Sequence, residues 1–211
     1  MSFSNNAKFI TFEGIDGCGK STQARMLLDV LNKTHSIETI LVREPGGTTI
    51  SESIREILLH SNRGELGDRS ESLLMTASRA QLTQDVIIPN LELGKCVIAD
   101  RYSDSTLAYQ GGGRGIDIDW LIDLNNYATF ALVPDITFLI DIRPEEALRR
   151  LDQSTDRIEG EGIEFQVRVR KTYHDLAEKF QDRYVLLDGH SNIDYLQEKL
   201  LNEMKRRGII S

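Results

Sequence analysis

The sequence has few of the features that mark membrane, secreted or nucleic-acid-binding proteins. Only two of its 211 residues are cysteines, Cys18 and Cys96, which is too few for a disulfide framework. No apolar run approaches the length needed to span a bilayer, and the polar stretch 1–8 has no apolar segment typical of a signal peptide. We therefore expect a cytoplasmic, reducing compartment.

Basic residues are also in the minority. The chain has 25 Lys and Arg against 33 Asp and Glu, which gives a net charge of −8. Nucleic acids and anionic membranes are both bound by basic surfaces, so neither is expected as a partner. A phosphorylated small molecule remains compatible with this composition, because a few arginines and Mg²⁺ can hold it locally.

Strand-like and helix-like segments alternate along the chain. The strand patterns lie at 8–12, 39–42, 96–99, 136–142 and 184–187. The helical patterns lie at 21–31, 50–59, 70–93, 118–128, 144–151, 165–180 and 193–206. Strands separated by helices imply right-handed crossovers, so this order predicts a parallel sheet covered on both faces. No repeat or linker divides the chain, and we expect one α/β domain over 1–211 with a kink or break at Pro89.

A glycine-rich loop joins the first strand pattern to the first helical pattern. Its fixed positions are Gly14, Gly19, Lys20 and Ser21. In this context the backbone N–H groups of the loop converge on phosphate oxygens, and the helix N-terminus adds partial positive charge. Lys20 would reach the β- and γ-phosphates of a nucleoside triphosphate, and the Ser21 hydroxyl would bind Mg²⁺. The alternative is a glycine turn that merely connects strand to helix.

A second group of chemical residues follows the third strand pattern. Asp100 and Arg101 stand at its carboxyl end, where ligands bind in open α/β sheets. An acid there can organise Mg²⁺ or its waters, and an arginine can hold a phosphate with two hydrogen bonds. The alternative is an Asp100–Arg101 ion pair that caps the next helix.

Three further segments have open interpretations. If 103–110 is helical, Ser105 shares a face with Tyr109, and Thr106 shares one with Gln110. Hydroxyl and amide groups placed in this way suit the recognition of a sugar and a base. The glycines at 111–113 could equally form a loose surface turn.

Arg55 and Arg79 lie in helical patterns, where an isolated arginine is usually solvated. The polar segment 153–163 is either an ordinary loop or a lid over phosphates.

Several motifs together resemble the bacterial thymidylate kinases. They are Phe-Glu-Gly-Ile-Asp-Gly-Cys-Gly-Lys-Ser-Thr at 12–22, Arg-Glu-Pro-Gly-Gly at 43–47, Ala-Ser-Arg at 77–79, Asp-Arg-Tyr at 100–102 and Ala-Tyr-Gln-Gly at 108–111. The phosphate loop alone is shared with many unrelated proteins. The other four motifs, in this order and spacing, extend the resemblance over nearly the whole chain.

The resemblance implies transfer of the γ-phosphoryl group of ATP to dTMP, with Mg²⁺, in dTTP biosynthesis. It also implies a homodimer and a P-loop α/β/α fold with a five-stranded parallel sheet and a short lid at about 150–163. The residues implied for ATP are Gly14, Ile15, Asp16, Gly17, Cys18, Gly19, Lys20, Ser21 and Thr22. Those implied for dTMP are Asp16, Glu44, Arg55, Met75, Arg79, Arg101, Ser105, Thr106, Tyr109 and Gln110. Ser21 and Asp100 are the expected metal residues.

The catalytic residues implied by the resemblance are Lys20, Asp16, Arg101, Arg150 and Arg157. The last two are alternatives: some relatives carry an arginine after the loop aspartate, where this chain has Gly17, so the transition-state arginine is expected in the lid. The lid also holds the acids Asp152, Asp156, Glu159 and Glu161. Met75 stands where phenylalanine commonly stacks on thymine, and it can cover a ring through its polarizable sulfur.

Three other functions compete with this interpretation. A kinase for another pyrimidine nucleoside monophosphate fits the same motifs. A GTP-dependent switch requires an Asn-Lys-x-Asp segment, and the only Asn-Lys pair, Asn32-Lys33, lacks the aspartate. An inactive nucleotide-binding homologue is disfavoured by the presence of Lys20, Asp100 and Arg101 together.

Overall fold

Five parallel strands form one sheet in the computed structural model, which describes residues 3, 7–61, 64–151 and 157–210. The strand order is β2-β3-β1-β4-β5. The predicted parallel sheet and α/β fold are therefore confirmed, and no strand end differs from its prediction by more than one residue. The strands are β1 (Phe9–Glu13), β2 (Thr39–Arg43), β3 (Cys96–Asp100), β4 (Ile136–Asp141) and β5 (Tyr184–Asp188).

The helices fall close to the predicted patterns. Side chains cap the first turns of several helices: the Thr48 hydroxyl accepts a hydrogen bond from the Ser51 N–H of α2, and Asp117 accepts one from the Trp120 N–H of α6. The helices are α1 (Lys20–Lys33), α2 (Thr49–His60), α3 (Asp68–Leu82), α4 (Ile88–Glu92), α5 (Ser103–Thr106), α6 (Ile118–Ala128), α7 (Pro144–Arg150), α8 (Ile163–Lys179) and α9 (Ile193–Arg206).

The sheet is buried on both faces, as its nearly continuous apolar strands predict. Every residue of β1 is buried. Because side chains alternate along a strand, Ile10 and Phe12 pack into the core on one face, whereas Phe9 packs with Val97 on the other. The strands thereby form a rigid base for the residues at their ends.

The break expected at Pro89 lies one turn before the proline. A wide helical turn, Thr83–Ile87, separates α3 from α4, and the Ile88 N–H bonds to the Thr83 carbonyl five residues back. A proline ring clashes with the carbonyl four residues earlier. Widening the preceding turn moves that carbonyl away, so the chain continues as a helix.

The glycines at 111–113 do not form a loose turn. They belong to a wide helical segment, Leu107–Gly113, which continues α5 and packs against α8. A Cβ on Gly112 would lie 2.0 Å from Thr172 Oγ1 of α8. Glycine at this position is what allows the two helices to pack closely.

All five strands end in a charged residue at one edge of the sheet. These residues are Glu13, Arg43, Asp100, Asp141 and Asp188. Both cysteines are buried and free. Within the described ranges, no helix is both long and apolar enough to cross a membrane.

Candidate active site

A cavity of about 210 Å³ opens at the charged edge of the sheet. All ten residues predicted to bind the acceptor nucleotide line it, together with Lys20, Ser21 and Asp100. These side chains come from the ends of three strands, from α1, α2, α3 and α5, and from the segment that continues α5. The fold thereby brings together residues that are up to about ninety positions apart in sequence. Sequence reasoning missed two apolar lining residues, Leu59 and Ile158.

The phosphate loop has the backbone geometry that its glycines predict. Gly14, Gly17 and Gly19 all have positive φ, a region that side chains disfavour. Gly19 precedes α1 without a side-chain cap, which leaves the first N–H groups of α1 available to an anion. A loop of this form can hold the phosphates of a nucleotide.

Gly17 also explains why no arginine follows the loop aspartate. Its φ is 79°, and a Cβ built there would lie 2.4 Å from the Ala147 carbonyl oxygen in α7. The loop and α7 are therefore too close for any side chain at this position.

Asp16 joins the phosphate loop to the end of β3. Its carboxylate lies 2.5 Å from Arg101 Nη2, 3.3 Å from Lys20 Nζ and 2.7 Å from the Tyr109 hydroxyl. Burial alone raises the pKa of Asp16, but the charges of Arg101 and Lys20 outweigh it and hold the pKa well below its usual range. In this structure Lys20 and Arg101 share one carboxylate, so the three charged groups together keep a net positive charge.

The alternative of an Asp100–Arg101 capping pair is wrong. Arg101 pairs with Asp16, and Asp100 instead accepts a 2.5 Å hydrogen bond from the Ser21 hydroxyl. Arg101 also has a left-handed backbone, with φ at 75°. Such a conformation in a non-glycine residue persists only where the surroundings enforce it. Here the consecutive side chains of Asp100 and Arg101 point toward different partners.

Glu13 is a site residue that the sequence analysis missed. It is fully buried at the end of β1 and accepts hydrogen bonds from the Tyr102 N–H (2.8 Å), the Ser105 hydroxyl (2.6 Å) and the Tyr173 hydroxyl (2.8 Å). Burial, reinforced by the nearby charge of Asp104, raises the pKa of Glu13 to about 7. Ser105 in turn accepts a hydrogen bond from Arg101, so Glu13 supports the side chain of Arg101 through Ser105.

Ser21 and Asp100 fit the Mg²⁺ that the resemblance implies. Asp100 Oδ1 is buried and has no hydrogen-bond partner in the described part of the chain, so a hard oxygen ligand is left unused beside a hydroxyl. The described residues contain no cluster of three or more potential metal ligands. Mg²⁺ commonly binds through one or two protein oxygens together with substrate phosphates, which suits such a sparse site.

Arg79 is buried rather than solvated as an isolated helical arginine would be. It is 2 % exposed, and its N–H groups donate to Glu44 Oε2 (2.7 Å), Thr106 Oγ1 (2.7 Å), Asn125 Oδ1 (2.6 Å) and the Tyr102 carbonyl (3.0 Å). Arg79 therefore lines the cavity with its donors already engaged. Because the Thr106 hydroxyl oxygen accepts a hydrogen bond from Arg79, the hydroxyl proton of Thr106 can be donated to another group.

Glu44 and Arg55 bring the segment after β2 to the cavity. Burial raises the pKa of Glu44, and the neighbouring charge of Arg79 only partly opposes this rise. Arg55 Nη1 donates to the Pro45 carbonyl at 2.9 Å. Met75 lies half-buried in α3 and lines the same cavity.

Neither of the two candidate lid arginines contacts the phosphate loop. Arg150 bonds to Glu146 and to the Gly189 carbonyl. Arg157 donates to the Leu58 carbonyl and lies 2.6 Å from Glu71 in a pair whose hydrogen-bond angle is poor. The predicted lid acids Asp152 and Asp156, like the rest of 152–156, lie outside the described residues.

These features define the class of protein. A glycine loop before α1, an aspartate at the end of β3 and an arginine-lined cavity at the carboxyl edge of a parallel sheet are the parts of a P-loop phosphotransferase. A family model described as thymidylate kinase matches residues 12–200. The chain belongs to the thymidylate kinase family.

Individual relatives agree with this assignment. The thymidylate kinase of Chlorobium phaeobacteroides is 44% identical over 209 residues, covering 94% of both chains. That of Thermosipho africanus is 49% identical over 187 residues, covering 88% of this chain and 92% of the relative. The crystal structure of thymidylate kinase from Ehrlichia chaffeensis superposes with a TM-score of 0.80 at 34% identity, covering 94% of this chain and 98% of that one.

Proposed function

We infer that this protein is a thymidylate kinase that transfers the γ-phosphoryl group of ATP to dTMP, giving dTDP and ADP. The observation that carries this function is the single cavity in which the phosphate loop meets all ten residues predicted for the acceptor. Membership of the thymidylate kinase family supports this activity. Among the described residues of the site, no feature favours one of the alternative functions. The whole chain acts as one domain in this proposal.

We propose that catalysis depends on positioning and charge rather than on a nucleophilic side chain. The reaction requires two nucleotides held in line, with positive charge on the transferring oxygens. Lys20 and the N-terminus of α1 hold the ATP phosphates, and Arg101 with Arg55 holds the 5′-phosphate of dTMP. Lys20 and Arg101, which both pair with Asp16 in this structure, exchange that carboxylate for phosphate oxygens when nucleotides bind.

Mg²⁺ is the cofactor in this proposal. Ser21 and Asp100 would hold it, directly or through water, and it would neutralise charge on the phosphates when bound. Tyr109 and Met75 cover the sugar and the base, and Glu44 lies beside the acceptor. A lid arginine, either Arg150 or Arg157, stabilises the negative charge on the transferring phosphoryl group in the transition state.

We also propose a homodimer and a cytoplasmic location, both from the family resemblance. The dimer has support in the surface: α3 and α6 pack on each other and expose large apolar side chains, Leu73 on α3 and Trp120 and Tyr127 on α6. Tyr127 is 89% exposed, and apolar patches of this kind mark interfaces. Sedimentation of the wild type beside Trp120→Lys/Tyr127→Lys tests this, and a wild-type monomer would reject the dimer.

A substrate panel tests the activity itself. Release of ADP from ATP and Mg²⁺ is measured with dTMP, dUMP, UMP, CMP, AMP and GMP as acceptors. We expect dTMP to have the highest kcat/KM, and we expect turnover to disappear in Lys20→Ala. An acceptor used faster than dTMP would change the substrate, whereas turnover that survives in Lys20→Ala would reject this site.

A further inference from the structure

Glu71 is a buried carboxylate that contacts the base-binding end of the cavity without lining it. It is fully buried in α3, and its Oε1 accepts a 2.8 Å hydrogen bond from Gln110 Nε2. Gln110 lines the cavity and Glu71 does not. A nucleotide bound in the cavity would therefore contact Gln110 directly and Glu71 only through Gln110.

Two arginines keep Glu71 in its ionised form. Arg114 donates to both of its oxygens, at 3.2 and 3.1 Å, and Arg157 Nη2 lies 2.6 Å from Oε2. Burial raises the pKa of Glu71, but the hydrogen bonds from Arg114 and Gln110 outweigh it, so the pKa lies below its ordinary value. An ionised carboxylate can only accept hydrogen bonds.

This restriction fixes the orientation of the Gln110 amide. A glutamine amide offers donors on one arm and an acceptor on the other. Because Glu71 has no proton to give, the NH₂ arm must face it. The other arm, Oε1, has no hydrogen-bond donor among the described residues, and it belongs to a side chain that lines the cavity.

Thr106 supplies the complementary group one helical turn away. Its hydroxyl oxygen accepts from Arg79 at 2.7 Å, which leaves the hydroxyl proton free to donate. An acceptor beside a donor matches thymine or uracil, whose ring N3–H lies between two carbonyl oxygens. Cytosine has an unprotonated N3 at the same place, and two acceptors would then face each other.

We propose that Glu71 is a positioning residue for base selectivity: it holds the Gln110 amide so that the carbonyl oxygen accepts the ring N3–H of thymine or uracil and disfavours cytosine. This inference rests on the proposed function, since it concerns the acceptor of that reaction. The selectivity arises because a site built around a hydrogen bond leaves its polar groups unpaired with the wrong base.

The experiment compares dTMP with 5-methyl-dCMP, which keeps the methyl group and changes only the hydrogen-bonding edge. For the wild type we expect kcat/KM to favour dTMP by at least about 100-fold. Glu71→Gln offers Gln110 both a donor and an acceptor, so its amide can turn over. We expect this variant to lower the ratio at least about tenfold, by raising kcat/KM for 5-methyl-dCMP relative to dTMP.

A ratio of two substrates separates positioning from folding. Loss of folded enzyme lowers both kcat/KM values equally and leaves the ratio unchanged. Glu161→Gln is the matched control, because Glu161 also pairs with Arg114, at 2.6 Å, but makes no contact with Gln110. It should keep the wild-type ratio.

Three results would overturn the inference: equal use of both nucleotides by the wild type, a wild-type ratio in Glu71→Gln, or a lowered ratio in Glu161→Gln. If Glu71→Gln does not fold, Gln110→Leu gives the answer, because removing the carbonyl must lower the ratio as well, and an unchanged ratio rejects the inference. A wild type that does not phosphorylate dTMP would reject the proposed function instead.

Discussion

Arg101 Nη2 lies 2.5 Å from Asp16 Oδ1, so the end of β3 and the phosphate loop are joined by an ion pair that lines the cavity. Arg101 also reaches the Tyr109 hydroxyl at 2.9 Å and the Ser105 hydroxyl at 3.0 Å. Its guanidinium is therefore held in one orientation by these three side chains. A preorganised cation of this kind binds an anion with little loss of conformational freedom.

The first prediction is that Arg101→Lys loses activity although it keeps the charge. Lysine lacks the planar fork that contacts several acceptors at once. We expect kcat/KM for dTMP to fall at least about 100-fold, because hydrogen bonds between charged groups are each worth about 1.5–3 kcal/mol. Steady-state kinetics with both nucleotides varied would measure this. The exposed Arg25 on α1 provides the control, and an equal loss in Arg25→Lys would contradict the explanation.

The second prediction concerns the packing of the phosphate loop on α7. Gly17→Ala and Gly19→Ala both place a side chain at positive φ, which costs about 1–2 kcal/mol. Only at Gly17 would the new Cβ also clash, 2.4 Å from the Ala147 carbonyl oxygen, whereas Gly19 has open space around it. We expect Gly17→Ala to lower the free energy of unfolding by at least about 1 kcal/mol more than Gly19→Ala. Urea denaturation without nucleotide measures both, and equal losses would show that α7 does not restrict the loop.

The strands and the residues at their ends could be predicted because their signals are local. Apolar runs of four to seven residues marked β1 to β5, and polar residues directly after them marked the site. The partners of those residues could not be predicted. Glu13 meets Tyr173 across 160 positions of sequence, and the pairing of Glu71 with Gln110 depends on how α3 packs against the segment that follows α5.

Arg79 illustrates the same limit. Its place in the motif predicted a residue at the thymine-binding end, and it does line the cavity. The sequence contained no sign that Glu44, Thr106 and Asn125 would bind its donors. The wide helical turns were also missed, because hydrophobic periodicity does not distinguish a turn with one additional residue from a regular helix.

The third prediction separates the two lid arginines. If Arg157 acts only in the transition state, Arg157→Ala lowers kcat at least about tenfold and raises KM for either nucleotide much less. In that case its pairing with Glu71 has to break during the reaction. Arg150→Ala is the matched variant. A wild-type kcat in Arg157→Ala, with a loss in Arg150→Ala, would assign the role to Arg150.

The fourth prediction is a pH dependence of stability that comes from Glu13. Its pKa rises from 4.5 in the unfolded chain to about 7 in the fold, because burial and the charge of Asp104 outweigh the hydrogen bonds and the charge of Arg101. Between these two values the folded state binds more protons than the unfolded state. The contribution of Glu13 to the free energy of unfolding therefore decreases as pH rises through this range, by a total on the order of 3 kcal/mol.

Glu13→Gln removes this titration and retains a side chain that resembles the protonated acid. Urea denaturation of both proteins from about pH 5 to about pH 8 gives the difference between their free energies of unfolding. We expect the variant to become more stable relative to the wild type as pH rises, because only the wild type has to bury a new negative charge. A difference that stays constant with pH would mean that Glu13 is already ionised at pH 5, held so by Arg101, Ser105 and Tyr173. In that case the carboxylate itself, rather than its protonated form, would be the species that keeps Arg101 in place near neutral pH.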